Sequence, residues 1–142
     1  MVLNPILKYI LAAIGGIIVG SIVNMSLIIV SGKIIPPPNG IDVTSEAGLK
    51  TAMHLMEPKH FLFPFLAHAL GTLAGAFITA FLAANNKLIL AVVIGTIFLF
   101  GGISMIISLT APMWFNITDV IFAYIPMAFL GYFLASKLKF RH

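Results

Sequence analysis

The sequence predicts an all-α integral membrane protein, a four-helix transmembrane bundle with a short amphipathic helix in the outer loop between its first and second membrane helices. Composition is the first observation behind this prediction, because 61% of the 142 residues are hydrophobic and 8% are charged, whereas about 25% of an ordinary soluble domain is charged. A soluble domain of this size has too little interior to bury so much apolar surface. Soluble and nucleic-acid-binding proteins are therefore excluded. A single transmembrane domain over residues 1–142 is expected, with the lipid bilayer as its main partner.

Four long stretches without Asp, Glu, Lys or Arg are the second observation, and they cover residues 9–32, 61–86, 88–118 and 120–136. A helix needs about 20 apolar residues to cross the hydrocarbon core of a bilayer. Barrel strands would instead alternate apolar and polar residues, and these stretches show no such alternation. The sequence therefore predicts membrane helices over about residues 5–30, 61–84, 87–109 and 119–137.

The positions of lysine and arginine predict the orientation of these helices. Three of the eight basic residues fall on one side of the membrane, namely Lys33, Lys50 and Lys59. The other five fall on the opposite side, namely Lys8, Lys87, Lys137, Lys139 and Arg141. Cytoplasmic segments carry the excess of Lys and Arg, so both termini of this multi-pass protein are expected on the cytoplasmic side of the plasma (inner) membrane. Trp114 is then expected in an outer loop over residues 111–118.

The outer loop over residues 31–60 is expected to contain an amphipathic helix. Thr44 or Ser45 could cap a helix that runs to about Glu57 and ends at Pro58. One apolar stripe follows from helical spacing and consists of Leu49, Ala52, Met53 and Met56. Such a helix lies on the membrane surface or folds back over the bundle, and in a functional version it forms a lid over an outward-facing pocket.

Small residues at four-residue spacing predict how the first two membrane helices meet. The first helix carries Ala12, Gly16, Gly20 and Asn24, and the second carries Ala67, Gly71 and Gly75. Small residues let helix backbones approach closely in lipid, so a close crossing is expected, which leucine at Gly71 or Gly75 should disrupt. One stripe could alternatively form the interface of a homo-oligomer or a larger membrane complex.

Pro126 predicts a kink in the fourth helix, because proline removes one backbone hydrogen bond. The pair Gly101–Gly102 could loosen the third helix in a similar way. Interrupted helices of this kind occur in transporters, where they expose polar backbone to a substrate. They also occur as plain packing devices, and both interpretations stay open.

His68 is the candidate for chemistry, because an ionisable side chain inside a membrane helix usually faces the bundle interior or a wet cavity. By depth it could meet Asn24, Asp119 or Tyr124, and Thr72 lies one turn further along the same helix. These five residues form the candidate ligand-binding set. His68 could equally be a neutral histidine that bonds to one neighbour, and Asp119 could be a helix cap that complements the helix dipole.

A candidate metal site is suggested by His54, Glu57 and His60, which are spaced by three residues. Imidazole and carboxylate groups are suitable ligands for zinc, manganese or iron. The spacing differs from the H-E-x-x-H pattern of metalloproteases, and Pro58 interrupts the helix between the candidates. The alternative interpretation is a solvated face at the membrane interface.

Three functions are consistent with these features. The favoured one is a non-enzymatic membrane protein that binds or moves a small or lipidic molecule through an outward-facing pocket, or that acts as an accessory subunit. The second is a membrane enzyme with a metal at the His54, Glu57 and His60 positions, and the third is a structural helix-packing scaffold. No cofactor is expected, because cysteine is absent and no phosphate-binding glycine loop or G-x-S-x-G elbow occurs.

Overall fold

The computed structural model describes residues 4–139, and every regular element in this range is helical. The α-helices are α1 Pro5–Ile34, α2 Glu46–Met53, α3 Leu62–Leu82, α4 Lys87–Ser108, α5 Met113–Phe122 and α6 Ile125–Lys139. Two 3-10 turns cover Pro38–Gly40 and Pro58–Phe61. Four segments are long and apolar enough to cross a membrane, namely Pro5–Ile34, Pro58–Leu82, Lys87–Ser108 and Met113–Leu138. The all-helical class with four long apolar helices is therefore confirmed, while Arg141 of the orientation argument lies outside the described residues.

Helix α1 is delimited by its flanking residues. The side chain of Asn4 accepts a hydrogen bond from the backbone N–H of Ile6 at 2.9 Å, which caps the first turn. At the other end the helix continues to Ile34, further than the expected end near residue 30. Ile35 is extended, with φ −124° and ψ 86°, because the residue before a proline avoids the helical region. Pro36 therefore sets the end of α1.

Helix α3 occupies the centre of the structure and packs against α1, α4 and α6. The core between α3, α4 and α6 consists of Ala76, Ala80, Ala91, Ile94, Ala128 and Ala135. Five of these six residues are alanine, so the helices are close enough for dispersion contacts between backbones. Gly131 also lets α6 approach α3 closely, because an added Cβ there would lie 2.6 Å from the carbonyl oxygen of Leu73.

The crossing of α1 against α3 brings two pairs of glycines together. An added Cβ on Gly20 would lie 2.6 Å from the carbonyl oxygen of Gly71, and one on Gly16 would lie 2.5 Å from that of Gly75. The Thr79 hydroxyl donates to the carbonyl oxygen of Ala12 at 3.2 Å. Ala12, Gly16 and Gly20 are the buried residues of α1, and Ala67 of α3 is fully buried one turn before Gly71. The small-residue stripe of α1 therefore faces α3 within the same chain.

The turn between α3 and α4 is stabilised by Asn86, which adopts the left-handed conformation with φ 52°. Asparagine tolerates this region better than most residues. Its side-chain amide donates to the Tyr9 hydroxyl at 3.2 Å. This contact places the beginning of α1 beside the α3–α4 turn, so Lys8 and Lys87 lie at the same end of the molecule.

Helix α2 folds back over the ends of the longer helices. Its Ala52 is fully buried, and Met53 packs in a cluster with Phe61, Leu109 and Phe115. The Ser45 hydroxyl accepts from the backbone N–H of Gly48 at 3.1 Å and caps the helix. The expected extension to Glu57 was wrong, because α2 ends at Met53 and a separate 3-10 turn begins at Pro58.

Replacing Ser45 with alanine is expected to weaken α2 by about 1 kcal/mol, because the N–H of Gly48 would lose its acceptor. Backbone amides of Glu46–Met53 should then exchange with deuterium about fivefold faster than in the unmodified chain. A Thr51→Ser variant is the matched control, since it keeps the hydroxyl that bonds to the Ala47 carbonyl in the same helix. Equal exchange in the Ser45→Ala and Thr51→Ser variants would contradict this role for Ser45.

The fourth apolar segment is divided into two helices. Its first half, α5, begins at Met113, so the expected loop over residues 111–118 was wrong and Trp114 lies in a helix. Pro112 directly precedes α5, and proline is compatible with a helix start because its nitrogen needs no acceptor. The expected kink is a break at residues 123–124. Pro126 explains it, because the proline nitrogen has no hydrogen to donate to the carbonyl of Phe122.

Candidate functional site

A buried polar cluster connects α3 with the fourth segment. His68 Nδ1 lies 2.9 Å from both carboxylate oxygens of Asp119. The Tyr124 hydroxyl donates to Asp119 Oδ2 at 2.8 Å and lies 3.1 Å from His68 Nδ1. Asp119 is 2% exposed and Tyr124 is 1% exposed. The carboxylate is thus removed from water and satisfied by two donors.

The hydrogen-bond network determines the protonation pattern of the His68 ring. A carboxylate is an acceptor, so the nitrogen that faces both of its oxygens must carry the hydrogen. Nε2 of His68 has no hydrogen-bond partner among residues 4–139, and the side chain is 21% exposed. In the neutral ring this second nitrogen holds a lone pair. Asp119 thus fixes one ring nitrogen of His68, and the other nitrogen is an available acceptor when the ring is neutral.

Small residues make room for the three side chains. The rings of His68 and Tyr124 stack with centroids 5.8 Å apart. Ala69 and Ala123 are buried beside Tyr124. An added Cβ at Gly102 of α4 would lie 2.6 Å from Tyr124 Cζ. Gly102 thus permits the tyrosine to reach Asp119.

The cluster borders a cavity of about 200 Å³. The cavity lies between the end of α1, the helix α2, the start of α3, the end of α4 and the helix α5. Most of its wall is apolar, including Ile28, Met53, Met56, Phe61, Ile106, Leu109 and Phe115. Its hydrogen-bonding side chains are Ser31, His60, His68, Asn116 and Asp119. An apolar cavity with a few polar groups is the usual form of a small-molecule site.

The structure separates the five candidate ligand-binding residues. His68 and Asp119 line the cavity, and Tyr124 holds the carboxylate from behind. Asn24 does not line it; an added Cβ at Gly71 would lie 3.0 Å from Asn24 Cβ, so this residue belongs to the crossing with α3. Thr72 is fully buried, and its hydroxyl has no partner among residues 4–139. Both residues continue stripes that face other helices rather than the cavity.

The candidate metal ligands do not form a common site. The Nδ1 atom of His60 accepts a hydrogen bond from the backbone N–H of Glu57 at 2.9 Å, so its lone pair is occupied. A hydrogen bond and the charge of Lys59 hold the pKa of Glu57 below its usual range, and the ion pair measures 3.0 Å. His54 is exposed. Within residues 4–139, no three His, Cys, Asp or Glu side chains are grouped so that they could hold a metal ion.

Three polar residues of the cavity wall were absent from the predicted ligand-binding set, namely Ser31, His60 and Asn116. Asn116 lies one helical turn before Asp119 on the same face of α5, and its amide nitrogen donates to the Ala111 carbonyl at 3.2 Å. Its Oδ1 atom is buried without a partner among the described residues. His60 reaches the cavity because the loop folds over it. Pro112 was the available signal, since a helix starting there places Asn116 and Asp119 side by side.

The fold and the cavity are those of an all-helical protein with four apolar helices, a set compatible with the membrane-protein class. Comparisons with protein-family models, with curated proteins and with solved structures gave no match. The chemistry of the site itself is therefore the basis for its function.

Proposed function

We propose that this chain is a non-enzymatic, multi-pass membrane protein that binds a small or lipidic molecule in the cavity beside His68. One observation carries the proposal: His68, which a buried carboxylate orients and whose Nε2 has no hydrogen-bond partner among residues 4–139, lines an apolar cavity of about 200 Å³. An apolar cavity of about 150 Å³ is large enough to hold benzene. A ligand the size of one substituted ring, or a short alkyl chain, fits this volume.

In the proposed topology the protein lies in the plasma membrane with both termini on the cytoplasmic side. The cavity then lies in the outer half of the membrane. Lys8 and Lys87 support this orientation, because the Asn86–Tyr9 contact places them at one end and cytoplasmic segments are rich in Lys and Arg. The cavity lies at the opposite end, under α2. A molecule dissolved in the outer leaflet, or in the water beside it, would be the natural ligand source.

Ligand binding in the cavity accounts for the structure better than the two alternative functions, a metal enzyme and a helix-packing scaffold. A metal enzyme needs a cluster of ligands, and among residues 4–139 no three His, Cys, Asp or Glu side chains are grouped so that they could hold a metal ion. A scaffold acting through the α1 stripe needs Gly16 and Gly20 free, and both are in contact with α3. Neither alternative accounts for a His–Asp pair beside a cavity.

Filling the cavity tests the proposal. Gly32 lines the cavity, and an added Cβ there meets no atom within 4 Å, so a Gly32→Phe variant adds a ring at the cavity wall without a clash at Cβ. The probe is 4-bromoanisole, whose bromine quenches the fluorescence of Trp114, the single tryptophan. Trp114 packs on Phe61 and Phe115 of the cavity wall, with centroids 5.6 and 6.0 Å away. The purified protein in mild detergent should show saturable quenching. The Gly32→Phe substitution should lower the affinity for 4-bromoanisole at least about tenfold.

Gly101→Phe is the matched control for this experiment. Gly101 is also helical and exposed, and an added Cβ there meets nothing within 4 Å, but it does not line the cavity. The Gly101→Phe variant should bind 4-bromoanisole with the same affinity as the unmodified chain. Quenching that never saturates, or that Gly32→Phe leaves unchanged, would refute the proposed cavity function.

A further inference from the structure

We infer that the cavity selects a neutral, hydroxyl-bearing apolar molecule, a phenol or an alcohol, whose O–H donates to His68 Nε2. This inference rests on the proposed binding function and adds the chemical class of the ligand. It depends on two properties of the cavity wall: its charge and the direction of its free hydrogen bonds.

The charge of the wall favours a neutral ligand. No lysine or arginine lines the cavity among the described residues, so an anionic head group would find no permanent countercharge. Asp119 is the single carboxylate in the described wall, and it already accepts from His68 and Tyr124. A cationic head group would compete with these two donors for the same carboxylate. Burying an unpaired charge in an apolar cavity is far more costly than burying a neutral group.

The direction of the free hydrogen bonds favours a donor on the ligand. In the neutral form of His68, Nε2 is an acceptor, because Asp119 fixes the single ring hydrogen on Nδ1. Asn116 adds a second group of the same kind, since its buried Oδ1 has no partner among the described residues. A ligand without an O–H would leave the His68 acceptor unsatisfied once water is displaced, which costs about 1–3 kcal/mol for a buried group.

His60 adds a polar group of the opposite kind to the cavity wall. Its Nδ1 accepts from the Glu57 backbone, so in the neutral ring Nε2 carries the hydrogen and is a donor. No partner for that nitrogen occurs among residues 4–139. The wall thus offers an imidazole acceptor at His68 and an imidazole donor at His60. A hydroxyl oxygen elsewhere on the same ligand, as in a hydroquinone, would suit the donor.

A matched probe series tests the inference through the quenching of Trp114. The series is 4-bromophenol, 4-bromoanisole, 4-bromobenzoate and 8-bromooctan-1-ol, titrated at neutral pH into the full chain in mild detergent. We expect 4-bromophenol to bind about tenfold more tightly than 4-bromoanisole, the difference that one buried hydrogen bond makes. The benzoate should bind more weakly than either neutral ring. Comparing 4-bromophenol with 8-bromooctan-1-ol shows whether the cavity prefers a hydroxyl on an aromatic ring or on an alkyl chain. The preferred class is that of the probe that binds more tightly.

A His68→Asn variant removes the Nε2 atom while an amide N–H can still reach Asp119 from the Nδ1 position. In this variant the phenol should lose about tenfold in affinity and match the anisole, whose own affinity stays constant. His54→Asn is the control, because His54 is exposed and does not line the cavity. It should change neither affinity.

The outcomes separate the inference from the proposed function. Saturable binding with equal affinities for phenol and anisole in the unmodified chain would overturn the hydroxyl inference and leave the binding function intact. Tightest binding of the benzoate would overturn the inference in favour of an anionic ligand. Failure of every probe to saturate would overturn both. The comparison of probes needs no variant, so it holds even where His68→Asn does not fold.

Discussion

Leucine at Gly75 is expected to force α1 away from α3 and to lower the free energy of unfolding by about 3 kcal/mol. A Cβ at this position would lie 2.8 Å from the Gly16 carbonyl oxygen and 3.2 Å from Phe98. The first of these neighbours is backbone, which has no rotamer with which to avoid the clash. The rest of the leucine side chain would then separate the two helices and break the hydrogen bond from Thr79 to Ala12.

The loss is measured by denaturant or thermal unfolding in detergent, followed by circular dichroism. Gly101→Leu serves as the matched control, because it adds the same side chain to another helix where an added Cβ meets nothing within 4 Å. The Gly101→Leu variant should unfold at the same denaturant concentration or temperature as the unmodified chain, or at a slightly higher one, since leucine favours the helix more than glycine does. If both variants unfold at the same point, the close crossing at Gly75 is disproved.

The second large effect is expected at Asp119, where leucine should cost about 3 kcal/mol of unfolding free energy. The substitution leaves His68 Nδ1 and the Tyr124 hydroxyl as buried donors without their acceptor, and breaking one side of a buried polar pair is strongly destabilising. Asp119→Asn should cost less, because the amide oxygen can still accept one of the two bonds.

A triple variant separates hydrogen bonding from packing in this cluster. When His68→Phe and Tyr124→Phe are added to Asp119→Leu, all the polar groups of the cluster are removed together. An apolar replacement of a buried ionic network is often close to neutral, so the triple variant should recover to within about 1 kcal/mol of the unmodified chain. If it is as unstable as Asp119→Leu alone, shape rather than hydrogen bonding holds this region together.

The long helices were predictable because membrane-spanning segments need continuous apolar length, which charge gaps reveal directly. The start of the fourth segment was not predictable in this way, because Asn116, Thr118 and Asp119 together have the composition of a loop. In the structure these polar side chains bond inside the fold: Thr118 donates to the Trp114 carbonyl at 2.8 Å. Local bonding of this kind removes the cost of polar groups in an apolar helix, and composition alone does not show it.

The site was partly predictable for a similar reason. Depth in the membrane placed His68 at the level of Asp119 and Tyr124, and the structure brings these three together. Depth says nothing about rotation around a helix axis, which is why Asn24 lies at the expected level but does not line the cavity. Its four-residue spacing from Gly20 places it on the face that α3 covers. The lining role of His60 required the fold of the loop, which no local pattern specifies.

The break at residues 123–124 has a consequence for the orientation of two side chains. Residues five positions apart in a continuous α-helix point about 140° away from one another around the axis. Asp119 and Tyr124 are five positions apart, yet their side chains meet at 2.8 Å. The interruption before Pro126 supplies the missing rotation. A proline that contributes no polar atom to the cluster thus determines whether the phenol ring of Tyr124 can reach the carboxylate at all.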